Sequence, residues 1–254
     1  MVEIYHSLKR KGELGMSNIT KDIKSINLLS SLIFEMLKNH KNISDDIDNN
    51  YKICQEISRK IINKNGVNIE VVGQDNIPQE DSVLIASNHR SFYDIMILLS
   101  SIDKTMSFAS AKELFKYPIL RDYIESIKCV NIDRETEDFK VIKEQLAAMA
   151  DALKNGNLIL FPEGQCNYEN DNVNEFKRGG FMSIAKTDCS IVPTYINMEQ
   201  FKKIGRWIIP IDNVSVHFGE AFKPKDVFPK RVKADELANY TREKVLSLKR
   251  ELTR

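Results

Sequence analysis

The stretch from Ser82 to Asp94 constrains the fold of this chain more than any other. It reads Ser-Val-Leu-Ile-Ala-Ser-Asn-His-Arg-Ser-Phe-Tyr-Asp. Val83-Leu84-Ile85-Ala86 is a short apolar run with a β-branched bias, which predicts a buried strand. The polar cluster Ser87-Asn88-His89-Arg90-Ser91 stops it, and Ile95 to Leu99 then starts an apolar stretch at helical spacing. A strand that turns at once into a helix belongs to an α/β sheet, and the strand ends of such sheets are where ligands bind. His89 falls at that end.

The rest of the chain repeats the alternation. Strands are predicted at 68–72, 105–109, 129–132, 158–161, 191–196 and 214–218. Between them, 112–126 is helical with an interruption near Pro118. Thr136 is placed to cap a long helix with Phe139, Ile142, Leu146, Met149 and Leu153 on one face. Residues 179–186 and 234–252 complete the set. The expected fold is α/β: a mixed, largely parallel sheet covered by helices. Two amphipathic helices precede it. Ile23, Ile26, Leu29, Leu32, Ile33, Met36 and Leu37 mark the first. Asp45-Asp46 open the second, whose face is Ile47, Tyr51, Cys54, Ile57 and Ile61 before Asn65-Gly66. The expected division is an N-terminal helical segment, 1–66, and an α/β domain, 67–254.

Charge and cysteine usage exclude several classes. The net charge of +1 argues against general nucleic-acid affinity. It is unevenly spread: residues 67–201 carry a net −8, and residues 202–254 a net +6. Cys54, Cys129, Cys166 and Cys189 show no C-x-x-C spacing, which predicts neither zinc nor a disulfide framework and points to a reducing compartment. No apolar run reaches the ~18 residues of a membrane span, and the charged start lacks a signal-peptide core. The expectation is a soluble or peripheral protein.

The polar groups at strand ends carry the chemistry. Asp94 lies five residues after His89. Across a strand-to-helix turn it reaches the imidazole, where a carboxylate on Nδ1 leaves Nε2 to accept a proton. The competing reading is a capping box, Ser91-x-x-Asp94, with Asp94 serving only helix N–H groups. Arg134 follows the strand at 129–132, Glu163-Gly164 the strand at 158–161, and Lys177-Arg178 precede a short helix. Arginine forks suit phosphate oxygens. The commoner reading of Lys177-Arg178 is a solvated basic loop, and Glu163 also fits as an arginine's ion-pair partner. Together the groups suggest a base, an anion pocket and a carboxylate on one sheet edge.

Asn88-His89-x-x-x-x-Asp94, Ile132-Asp133-Arg134, Phe161-Pro162-Glu163-Gly164 and Ile191-Val192-Pro193 resemble, in order, the four blocks of the glycerolipid acyltransferase family. Its best-known members are the 1-acyl-glycerol-3-phosphate (lysophosphatidate) acyltransferases. The resemblance spans roughly 68–222. It implies transfer of a fatty acyl group from acyl-coenzyme A or acyl carrier protein to a lysophospholipid hydroxyl, giving phosphatidic acid, with no metal or cofactor. It implies that His89 and Asp94 are catalytic, that Arg134 holds the acceptor phosphate, that Glu163 and Gly164 bind acceptor, and that Val192-Pro193 shape the acyl site. Lys177 and Arg178 join the phosphate pocket on chemistry alone. Direct attack by the acceptor is implied, so Cys166 is expected to carry no acyl group. The third block departs from the family's usual Glu-Gly-Thr-Arg-Ser: here it is Glu163-Gly164-Gln165-Cys166-Asn167. The second block lacks the usual glycine before its arginine, since Lys128-Cys129-Val130-Asn131 stands there. The acceptor is thereby left open to another lysolipid. The same His–Asp pair also suits an acyl-thioester hydrolase, and a non-catalytic lipid-binding protein is the third alternative. A bilayer substrate with no span implies a cytoplasmic protein, peripheral on the membrane face. Two stretches have the chemistry for that contact: Ile23 to Leu37, and Phe201 to Ile209, where cations flank Trp207.

Overall fold

A computed structural model describes residues 30–252, apart from 205, 206, 229 and 231. The first half of the expected helix at 23–37 lies outside the described residues. Residues 30–39 are helical (α1). In α2 (Ile47–Lys64), the Asp46 carboxylate accepts from the backbone N–H groups of Asp48 and Asn49. That pairing satisfies two donors no helical carbonyl can reach. Tyr51, Cys54, Ile57 and Ile61 are buried along the predicted face.

A seven-stranded sheet follows, with strands β1 (Asn68–Val72), β2 (Val83–Ser87), β3 (Ser107–Ala111), β4 (Val130–Ile132), β5 (Leu158–Leu160), β6 (Ser190–Ile204) and β7 (Trp207–Phe218). Their order is β1-β7-β6-β2-β5-β3-β4. Only β6 and β7 pair antiparallel. The helices are α3 (Tyr93–Ser101), α4 (Pro118–Ser126), α5 (Phe139–Asn155), α6 (Arg178–Ile184), α7 (Pro224–Val227) and α8 (Ala234–Leu252). The fold is the expected mixed, mostly parallel α/β arrangement.

The sheet separates two cores, and β2 feeds both. Val83 and Ile85 pack with Tyr51, Ile57 and Ile61 of α2 and Ile97 and Leu98 of α3. Leu84 and Ala86 pack on the other face with Met149 and Leu153 of α5, Phe181 of α6 and Leu237 and Val245 of α8. Successive side chains of a strand alternate faces, so a strand covered on both sides must be apolar throughout. That is why the run 83–86 has no polar alternation. The α2 helix shares the first core, and Tyr51 Oη and Gln55 Nε2 both donate to the Ile102 carbonyl, at 3.1 and 2.8 Å.

Local differences from the sequence reading have local causes. The β3 strand occupies 107–111, two residues later than expected, because its pairing with β4 runs from Ala109 to Ala111. The cap of α5 is Asp138, whose carboxylate accepts from Lys140 N, while Thr136 Oγ1 accepts from Asp138 N one step upstream. Phe139 therefore sits in the first turn, 79% exposed, rather than on the buried face. Residues 201–204 and 207–209 belong to the long β6–β7 pair. The β2 partner of β6 ends at Thr194 and the β1 partner of β7 begins at Asn213. Pairs from Gln200↔Ile211 to Ile204↔Trp207 thus project beyond the sheet, with no third strand beside them among the described residues.

Two left-handed glycines test the packing. Gly66 (φ 70) has open space where a side chain would go. Gly73 (φ 75) does not, since a Cβ there would overlap the Phe218 carbonyl of β7. Gly66→Ala should cost only the left-handed strain, ~1–2 kcal/mol. Gly73→Ala adds a backbone clash and should lose clearly more in urea denaturation. Equal losses would mean that β1 does not meet β7 in this way.

Candidate active site

The site begins one residue past β2. Asn88 closes two bonds with β6: its Oδ1 accepts from Ile196 N at 2.8 Å, and its Nδ2 donates to Ile196 O at 3.0 Å. The turn that carries His89 is thereby fixed to the neighbouring strand. His89 Nδ1 lies 2.8 Å from Asp94 Oδ2. The same oxygen accepts from the backbone N–H groups of Arg90 (2.7 Å) and Ser91 (2.9 Å). Asp94 therefore does both things the sequence left open: it serves N–H groups at the start of α3, and it orients the histidine. The imidazole stacks on Phe161, with ring centroids 4.0 Å apart.

A second loop, after β5, closes over the first. Glu163 is 2% exposed, and its two oxygens accept from His89 N (2.9 Å) and Asn174 N (3.1 Å). Burial raises its pKa above the usual carboxylate range, against the pull of those donors. Asn167 N donates to His89 O at 2.7 Å. Cys166, beside it, places Sγ 3.1 Å from His89 Nε2. Burial works against a charged imidazole, but the bonds to Asp94 and Cys166 outweigh it, and the His89 pKa is pushed up to about 10.

The cations gather around Gly164. Arg134 Nη1 donates to the Gly164 carbonyl at 2.6 Å, and its Nη2 lies 3.8 Å from Glu113 Oε2. Gly164 has φ 71, and a Cβ on it would meet the Lys177 chain and its Nζ at 3.1 Å. Arg134, Gly164 and Lys177 thus lie together in one group. Arg178 is exposed at the start of α6, and no hydrogen bond or ion pair joins it to that group among the described residues. Glu163 is brought in as a clasp between loops, with its carboxylate turned to backbone donors. Pro193 is buried in β6 opposite Ala86, just before the pairing with β7 begins. Sequence reasoning missed the Phe161 stack and the Asn88 clamp, for which no periodic signal exists. It weighed Cys166 but had no means of seeing its distance to Nε2.

A histidine held by a buried carboxylate, with cations beside it on the strand-end edge of an α/β sheet, is an arrangement suited to general-base chemistry on an anionic group. The chain belongs to the Acyltransferase family, whose sequence model matches residues 68–197. It is 32% identical over 127 residues to a chloroplastic 1-acyl-sn-glycerol-3-phosphate acyltransferase of Arabidopsis thaliana, covering 49% of this chain and 35% of that one. A probable 1-acyl-sn-glycerol-3-phosphate acyltransferase of Mycoplasma pneumoniae is 27% identical over 190 residues, covering 70% and 69%. The chain spans about a third of the length of the chloroplast relatives it matches, that of Brassica napus included. The crystal structure of the 1-acyl-sn-glycerophosphate acyltransferase of Thermotoga maritima shares the fold, with a TM-score of 0.73 at 23% identity over 92% of this chain and 98% of that one.

The His89–Asp94 pair can be tested by titration. Imidazole NMR should place the His89 midpoint well above the ordinary value of 6.5, and Asp94→Asn should bring it down. Because the folded pKa is the higher one, the pair's contribution to stability is complete below pH 6.5 and fades as pH rises toward 10. A midpoint at or below 6.5 would contradict the geometry.

Proposed function

We propose that this protein transfers a fatty acyl group from an acyl thioester to the hydroxyl of a lysophospholipid, with 1-acyl-glycerol-3-phosphate the favoured acceptor and phosphatidic acid the product. The observation that carries the reading is the His89–Asp94 pair at 2.8 Å with Arg134 and Lys177 grouped at Gly164 on the same loop system. His89 Nε2 takes the acceptor hydroxyl's proton as that oxygen attacks a thioester carbonyl. Asp94 holds the tautomer and stabilises the imidazolium that results. The proton then passes to the departing thiolate. Arg134 and Lys177 hold the acceptor phosphate, which a reaction with water alone does not need; this favours transfer over hydrolysis. The names of the relatives support the acceptor class. Acyl-coenzyme A and acyl carrier protein both present the required thioester.

The transfer-competent histidine is neutral, so the rate should rise with pH above 7, toward the raised His89 pKa. Thiol release from acyl-coenzyme A and from acyl carrier protein, followed with and without lysophosphatidate, tests the reading. Release that depends on the acceptor is expected, and His89→Ala should lower it by ~10²–10⁴-fold. Release of equal size without acceptor would make the protein a hydrolase. A folded His89→Ala with undiminished transfer would end the general-base mechanism.

Peripheral membrane contact is part of the same proposal. Among the described residues no helix is long and apolar enough to cross a membrane. Phe139, Tyr117 and Phe201 are 79%, 49% and 40% exposed; Tyr117 and Phe139 follow the ends of β3 and β4, and Phe201 lies in β6 beyond its parallel pairing with β2, on the edge that carries His89. Phe34 and Leu37 of α1 are exposed as well, at 63% and 55%. In the sequence, the stretch Phe201 to Ile209 also carries Lys202, Lys203, Arg206 and Trp207. Basic and aromatic residues together suit a headgroup layer with anionic lipid. Co-sedimentation with liposomes should increase with anionic lipid and decrease with salt, and Phe201→Asp with Phe139→Asp should weaken it. Indifference to anionic liposomes at low salt would rule this surface out.

A further inference from the structure

We propose that Arg242, on the last helix of the chain, is a positioning residue for acceptor binding: it fixes the peptide group that sets Glu163 and Lys177 around Gly164. The inference rests on the acyl-transfer reading and adds to its site a helix beyond the family match, which ends at residue 197. Arg242 holds two successive carbonyls with its fork, Nη2 donating to Val173 O at 2.7 Å and Nε to Asn174 O at 2.8 Å. The Val173 carbonyl shares a peptide plane with the Asn174 N–H. That N–H donates to Glu163 Oε2 at 3.1 Å, and Glu163 Oε1 accepts from His89 N at 2.9 Å. A cation, one peptide plane and a buried carboxylate are thus linked in series to the turn that carries the base.

The same segment delivers the acceptor's cation. Three residues past Asn174, Lys177 N donates to Pro162 O at 2.8 Å, and the Lys177 side chain lies against Gly164. Residues 174–177 therefore run along residues 162–164 and are tied to them at both ends. Val173 and Phe176 anchor this stretch in the second core. Apolar contact is non-directional, so it does not by itself fix how a peptide plane is turned. A planar guanidinium with donors in a rigid fork does.

The seat of α8 does not depend on this arginine. The helix buries Leu237, Thr241 and Val245 at successive turns. Arg242 itself is 28% exposed, and its Nη1 lies 3.8 Å from Glu243 Oε1, too far for a hydrogen bond. Two turns on, Lys249 repeats the arrangement on the same side of the helix. Its Nζ donates to Asp171 O at 2.8 Å and lies 2.9 Å from Asp171 Oδ2. The carbonyls of Asp171, Val173 and Asn174 are therefore each held by a cation of α8, and bonds from a charged donor are the strong ones. The guanidinium on the Val173 carbonyl also polarises that peptide and strengthens its N–H as a donor to Glu163. Without the fork the plane turns, Lys177 loses its register on Gly164, and the acceptor phosphate loses a cation.

The test compares short-chain lysophosphatidate with 1-acylglycerol, the same acceptor without its phosphate, by titration calorimetry and by initial rates on the full chain. Arg242→Gln should weaken lysophosphatidate binding and raise its KM by about tenfold, the order of one charge-assisted hydrogen bond. The kcat and the KM for acyl-coenzyme A should stay within about threefold of wild type, since the loss is one of acceptor binding. Binding of 1-acylglycerol should not change. In a Lys177→Ala background the same substitution should add less than about twofold, because its effect passes through that lysine. Arg242→Lys keeps the charge without the fork and should fall between; if Arg242→Gln does not fold, it decides by the same comparison. Val245→Ala removes core from the same helix, and should lower the melting midpoint while leaving the preference for the phosphorylated acceptor intact. An Arg242→Gln effect that is absent, equal on both acceptors, additive with Lys177→Ala or reproduced by Val245→Ala overturns the inference, as does a wild type that binds both acceptors alike. Thiol release that needs no acceptor ends the transfer reading alone, because the binding titrations still decide the role of Arg242.

Discussion

One carboxylate oxygen holds the centre of this molecule together. Asp94 Oδ2 accepts from the His89 ring and from the backbone N–H groups of Arg90 and Ser91, in a side chain that is 1% exposed. A buried charge without partners is costly, and three donors on one oxygen compensate it. The result is that the turn after β2, the start of α3 and the imidazole share one anchor. A change at Asp94 is therefore felt in the fold of the turn and in the chemistry at once.

From that anchor the site is assembled by clasps between loops. Asn88 joins the turn to β6. Glu163 and Asn167 join it to the loop after β5. Arg134 reaches from the end of β4 to the Gly164 carbonyl. Every clasp ends on backbone, and the Asn167 clasp is backbone at both ends, so the loops are located relative to one another and not merely to solvent. Three strand ends, β2, β5 and β4, supply the loops that these clasps join. Their order in the sheet, β2-β5-β3-β4, brings them to a single edge. Parallel strands make this possible, because they all end on the same side.

Charge is divided along the same lines. The acidic part of the chain, 67–201, builds most of the sheet, yet its cations Arg134 and Lys177 are concentrated at the loop where a phosphate would sit. The basic part, 202–254, begins with the projecting end of the β6–β7 hairpin. There the Arg90 guanidinium lies 4.9 Å over the Phe201 ring, which couples the hairpin to the residue after the base. A headgroup bound at Gly164 and a bilayer met by the hairpin would approach from one direction.

The sequence by itself determined the α/β class, the buried face of α2, and the position of His89 at a strand end, because these depend on the period of apolar residues and on polar stops that act locally. It also determined that Asp94 could reach His89, since the separation is short and lies within one turn. Tertiary structure alone decided what Asp94 does, because hydrogen bonding allows one oxygen to cap and to orient together. It decided that Glu163 is a clasp, through bonds to residues 74 positions back and 11 positions on. It decided the length of the hairpin, whose outer pairs have no neighbouring strand to announce them. And it decided the place of Cys166, 77 residues from the histidine it faces: no period or spacing encodes a contact between two loops, which exists only once the sheet has brought their strand ends together.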